Sequence, residues 1–102
     1  MADAPPPAMR LDKFLWFVRL AKTRSVAQGL AEARHLRIDG RVVDKAAASV
    51  RVGDTLTFPL HDRIRVIRVL ALPNRRGPAP EARTCYADLA ATANVSQESA
   101  ND

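Results

Sequence analysis

Between Arg10 and Ser25 the chain reads RLDKFLWFVRLAKTRS, which sets Arg10, Lys13, Arg19, Lys22 and Arg24 within sixteen positions. Side chains of this kind serve one chemistry well: they neutralise phosphate oxygens through charge-assisted hydrogen bonds. The run Lys22-Thr23-Arg24-Ser25 adds two hydroxyls to two cations. A helix starting there would contribute free backbone N–H groups and a partial positive charge. A second pair, Arg37 and Arg41, flanks Asp39-Gly40, and a tight turn there is expected to present both to one ligand. Asp12 is the single acid inside the basic run. It braces Arg10 or Arg19, or accepts a hydrogen bond from a ribose hydroxyl or a base, or merely suits the positive end of a helix.

Other chemistries find little material. His35, His61 and Cys85 stand far apart, in no nucleophile–base or metal-ligand spacing. No glycine-rich phosphate loop is present. A single cysteine precludes an internal disulfide, and Cys85 is expected to be a small buried side chain. The expectation is therefore a binding protein and not an enzyme, with no cofactor and no metal. The opening MADAPPPAM lacks the basic-then-apolar order of a signal peptide. The run FLWFV is far too short to span a bilayer. A cytoplasmic monomer is expected.

The charge points to the partner. The net charge is +5, yet residues 10–76 hold fifteen Lys and Arg against six Asp and Glu. Residues 77–102 carry a net −3. The basic excess thus belongs to the folded part, where it attracts a polyanion.

The elements that must position these residues follow from periodicity. Leu11, Phe14, Leu15, Val18 and Ala21 repeat with helical spacing, so a first helix is expected over residues 11–21. A second is expected over 24–34, capped by Thr23 or by Ser25, the latter at capping-box distance from Gln28. Its inner face is read as Val26, Leu30 and Ala33. Arg24, Ala27, Gln28 and Ala31 are read as turned away, the alanines leaving a low face for a sugar-phosphate backbone. Trp16 lies off the main apolar stripe, and either stacks on a base or lies under a later segment near Tyr86. The period then changes to two. Leu36 and Ile38 alternate with Arg37 and Asp39, Asp39-Gly40 signals a hairpin, and Gly53-Asp54 and His61-Asp62 mark further turns. About four short strands are expected, with Arg63, Arg65 and Arg68 on the last and Arg75 and Arg76 in a following loop. Residues 1–9 are expected to be a disordered lead, residues 10–72 the domain, and residues 73–102 a loop, a short helix through Tyr86 and Leu89, and a frayed tail.

These residues resemble the S4 RNA-binding domain family. The cues are RLDKFL, a basic pair with Thr and Ser opening the second helix, Asp39-Gly40 where the family commonly has Asn-Gly, and VGD at residues 52–54. The tail RRGPAPEARTCYADL is similar to the stand-alone heat-shock protein 15 branch. The resemblance implies an α+β fold of S4 type, the alpha-L motif: two helices packed on a small, mainly antiparallel sheet, with a short C-terminal helix. It implies binding to ribosomal RNA and to the free large ribosomal subunit holding stalled nascent-chain tRNA, in rescue or the heat-shock response. An RNA-anchored module working with a protein partner in ribosome quality control or assembly is the alternative. The RNA site expected on this basis comprises Arg10, Asp12, Lys13, Arg19, Lys22, Thr23, Arg24, Ser25, Arg37, Asp39, Gly40 and Arg41.

Overall fold

In the computed structural model, which describes residues 7–60 and 62–89, three helices and seven strands share one apolar core. The chain opens with a two-residue strand β1 (Met9–Arg10), then α1 (Leu11–Phe17) and α2 (Arg24–Glu32). Strands β2 (Leu36–Ile38), β3 (Arg41–Val43), β4 (Ser49–Val50), β5 (Thr55–Leu60) and β6 (Arg63–Val69) follow. Helix α3 (Ala79–Arg83) and β7 (Tyr86–Asp88) complete the order. The main sheet is antiparallel throughout, in the order β3-β2-β5-β6-β7, and β1 pairs separately with β4.

Helix α1 buries Leu11, Phe14 and Leu15, with Val18 just after it, in the core cluster that also holds Leu36, Leu56, Phe58 and Ile67 of the sheet. It is shorter than the expected 11–21. After Phe17 the N–H of Arg19 bonds to the Trp16 carbonyl and that of Leu20 to the Leu15 carbonyl. This is the Schellman pattern, with Arg19 at the left-handed position, φ 63°. Glycine usually takes that place, so the sequence carries no stop signal there. Buried Leu20 and Ala21 serve the core from the turn rather than from a helical stripe.

The face of α2 differs from the expected one: of Val26, Leu30 and Ala33, Leu30 alone packs against the core. Ala27 and Ala31 are fully buried, whereas Val26 is 46% exposed and Ala33 is also exposed. Small side chains let α2 approach α1 closely, and that contact outweighs the larger apolar area Val26 would offer. The low alanine face is thus packed inside and meets no ligand.

The Asp39-Gly40 hairpin forms as expected. Both residues have positive φ, 52° and 86°, and Ile38 faces Arg41 across them. That is the type I′ geometry whose twist suits a two-residue loop. Gly53, at φ 96°, sits in a turn closed from Asp54 N–H to the Arg51 carbonyl. The His61-Asp62 turn links Leu60 to its partner Arg63, although His61 itself lies outside the described residues.

Three further expectations need correction. Met9 is a strand residue paired with Val50 and packed on the core, so the lead does not reach residue 9; residues 1–6 lie outside the described set. The C-terminal helix ends at Arg83. Tyr86 to Asp88 instead extend the sheet along β6, where edge hydrogen bonds outweigh local helical propensity. Trp16 does lie under a later segment, but that segment is the loop before α3, whose Arg76 guanidinium is 5.6 Å from its ring centre. Cys85 is buried as expected, and the expected frayed tail lies mostly outside the described residues.

Candidate nucleic-acid interface

Helices α1 and α2 pack side by side, and Asp12 in the first turn of α1 joins the start of one to the start of the other. Asp12 is fully buried and its two oxygens accept from five donors. Arg10 donates through Nε at 3.0 Å and Nη2 at 3.2 Å. The Lys13 backbone N–H donates at 2.8 Å, Arg24 Nε at 3.4 Å and Gln28 Nε2 at 3.3 Å. Burial alone would push the Asp12 carboxyl upward. The bonds from Arg10 and Gln28, with the charges of Arg10 and Arg24, outweigh it and hold Asp12 below its ordinary 3.8.

A carboxylate so placed does two things. It fixes two guanidiniums by Nε, leaving most of their Nη donors toward solvent; the Arg10 and Arg24 side chains are 48% and 39% exposed. It also supplies the negative charge that lets two cations stand close without mutual repulsion. Of the three sequence readings of Asp12, bracing is the one seen, with Arg24 and Gln28 beside Arg10 and without Arg19.

The start of α2 lies beside this hub. Thr23, not Ser25, is the N-cap, its Oγ1 accepting from the Val26 N–H at 3.1 Å. Ser25 and Lys22 are exposed. Lys13 is also exposed, its Nζ 5.7 Å from the Phe17 ring centre.

The remaining expected residues are placed differently. Arg19 turns to the far end of α1 and donates through Nε to the Gly77 carbonyl at 2.6 Å. Arg37 and Arg41 do not share a face. Arg41 is level with core-facing Ile38, and Arg37 is level with exposed Val42, so strand alternation sends them to opposite sides of the sheet. Asp39 is occupied by backbone: its Oδ1 accepts from the Thr55 N–H at 2.9 Å, tying the turn to β5. Gly40 supplies the positive φ that the turn needs. Arg41 lines a cleft of about 490 Å³ with Asp39, Lys45, Ser49 and Arg51. Ser49 is the β4 partner of Arg10, so this cleft adjoins the helix-end hub.

Sequence reasoning passed over Gln28 as a hub member. The available signal was its position one helical turn after Arg24, on the face shared with Ala27 and Ala31.

The S4 domain family model matches residues 9–56, the span from β1 through the helix-end hub and the hairpin to β5. The chain is 32% identical over 90 residues to the heat shock protein 15 homolog of Haemophilus influenzae, covering 88% of this chain and 68% of that protein. This chain belongs to the heat shock protein 15 family. Within that family, a solved structure titled as trimeric Vibrio cholerae heat shock protein 15 matches with a TM-score of 0.74 at 32% identity. The match covers 80% of this chain and 82% of that one. A shorter relative, the RQC P-site tRNA stabilizing factor of Bacillus subtilis, is 38% identical over 61 residues, 60% of this chain and 70% of that protein. The α+β fold expected from the S4 resemblance is thus the fold found. No helix among the described residues is long and apolar enough to cross a membrane.

Proposed function

We propose that this member of the heat shock protein 15 family is a cytoplasmic binding protein, not an enzyme, that grips unpaired ribosomal RNA at the starts of α1 and α2. Arg10, Lys13, Lys22 and Arg24 supply the cations, Ser25 a hydroxyl, and Arg41 a further cation from the adjoining cleft. Asp12 and Gln28 act as positioning residues, and Thr23 fixes the α2 start by capping it. Asp39 and Gly40 shape the turn. The observation that carries the reading is the Asp12 hub: a buried carboxylate holds two part-exposed guanidiniums together at the starts of α1 and α2.

Membership of the heat shock protein 15 family and the identity to a P-site tRNA stabilizing factor support ribosomal RNA as the ligand, and the proposed target is the free large subunit with tRNA still attached to a stalled chain. The role is ribosome rescue under stress. The monomer is proposed as the RNA-binding unit, whereas the matching Vibrio cholerae structure is trimeric. The identity to the quality-control factor favours a second reading, in which RNA anchors the protein and a protein partner shares the task. Sucrose-gradient sedimentation of a lysate tests both. Co-migration with the free large subunit, retained in moderate salt and lost in the Lys22→Ala/Arg24→Ala variant, supports the first reading. Co-migration that this variant keeps supports the second. Sedimentation with no ribosomal particle contradicts both.

A further inference from the structure

A second basic cleft lies at the opposite end of α1, outside the helix-end hub. It encloses about 290 Å³ between the α1 turn, the β5–β6 hairpin, α3 and β7. Arg19, Arg65 and Arg83 line it with Tyr86, Leu20 and Leu60, and among the described residues no carboxylate lines it. Seven helical residues separate its end of α1 from the hub's, a span of about 10 Å.

Its arginines are prepared rather than spent. Arg19 is held by the 2.6 Å bond from its Nε to the Gly77 carbonyl, which leaves its Nη groups available. Arg65 stands in the core-facing row of β6, level with Phe58, and its Nη2 is held by Asp88 at 2.8 Å. Its Nε is buried and has no acceptor among the described residues. A buried N–H without a partner is a standing cost. Arg83 is exposed and makes no ion pair among the described residues.

The shape narrows the ligand class. A bare phosphate needs far less space than this cleft holds. The walls combine three guanidiniums with an aromatic ring and two leucines, which suits an anion joined to a flat, partly apolar group. A ribonucleotide has that build: phosphate for the arginines, and a base to lie against Tyr86.

We propose that this cleft is a second RNA subsite, which takes the phosphate and base of one nucleotide independently of the hub. The choice of RNA as ligand rests on the function proposed above; the cleft's geometry does not depend on the hub. It gives Arg19 a role that the helix-end patch does not.

The test is amide NMR of the full-length protein titrated with uridine 5′-monophosphate, uridine and inorganic phosphate in turn. The monophosphate should shift the amides of Val18 to Leu20, Arg65, Arg83 and Tyr86. Uridine and phosphate should each bind at least tenfold more weakly there. Arg83→Glu should weaken the monophosphate at least tenfold while the rest of the spectrum is kept, since Arg83 is exposed. Lys22→Ala/Arg24→Ala should leave these shifts intact. Inorganic phosphate binding as tightly as the monophosphate would overturn the nucleotide assignment. Shifts confined to residues 10–13 and 22–28, or an unaffected Arg83→Glu variant, would overturn the cleft and leave the hub reading standing.

Discussion

Asp12 and Asp39 are both acids set among arginines, and they end in opposite situations. Asp12 is fully buried, and its oxygens take side-chain donors from Arg10, Arg24 and Gln28. Asp39 is exposed in a hairpin turn, and its oxygen takes a backbone N–H from Thr55. The first acid organises cations for a ligand. The second organises chain geometry, and the arginines on either side of it diverge. Nearness in sequence to basic residues does not make an acid part of a binding site; what its oxygens accept decides that.

The largest expected effect on this comparison is on stability. Asp12→Ala removes a buried acceptor for five donors and should cost about 1–3 kcal/mol by chemical denaturation. Asp39→Asn keeps an oxygen for Thr55 and a residue type that tolerates positive φ. It should change stability by under about 0.5 kcal/mol. Equal losses at the two positions would break the distinction.

RNA affinity sharpens it next. Arg41 lies on the helix side of the sheet and Arg37 on the other. Arg41→Ala should remove one phosphate contact, about fivefold in affinity at 0.1 M salt on single-stranded RNA. Arg37→Ala should leave affinity unchanged. Fluorescence anisotropy of the two variants checks this, and the reverse order would place the RNA on the outer sheet face.

The smallest effect is on pH dependence. The Asp12 carboxyl is held below 3.8 in the folded chain. A depressed carboxyl adds stability above its unfolded value and loses it as pH falls through the folded one. The stability gap between the parent and Asp12→Asn should therefore be constant well above pH 3.8 and close below it. A gap that widens on acidification would mean that burial, not the arginines, governs Asp12.

The same contrast explains what could be read in advance. The Asp39-Gly40 hairpin was legible because its turn type is a local matter of two residues' φ angles. The S4 character was legible because several local motifs occur together in one order. The α1 stop was not, because Arg19 occupies a left-handed position that usually shows itself as glycine. The inward face of α2 was misread because Val26 outscores Ala27 and Ala31 in hydrophobicity, while close helix packing favours the smaller residues. β7 was hidden by helical propensity that a free sheet edge overrode. Within the site, the basic run and Asp12 were visible. Gln28 was not, because its role depends on how two helices meet. Arg19 and Arg37 were misplaced for the same kind of reason: a turn and a strand face moved them.

The salt dependence of binding tests the central claim most directly. Affinity for a single-stranded ribosomal RNA fragment is measured by fluorescence anisotropy across a salt series, with circular dichroism as the folding check. The parent is compared with Lys22→Ala/Arg24→Ala and with Arg37→Ala/Arg68→Ala on the outer sheet face. Loss of two phosphate contacts at the α2 start should flatten the slope of log K against log [salt] by about 1.4 units and weaken binding about 25-fold at 0.1 M salt. The outer-face variant should keep the parent's slope. A folded Lys22→Ala/Arg24→Ala protein with the parent's slope, beside an outer-face variant with a flattened one, would contradict the account.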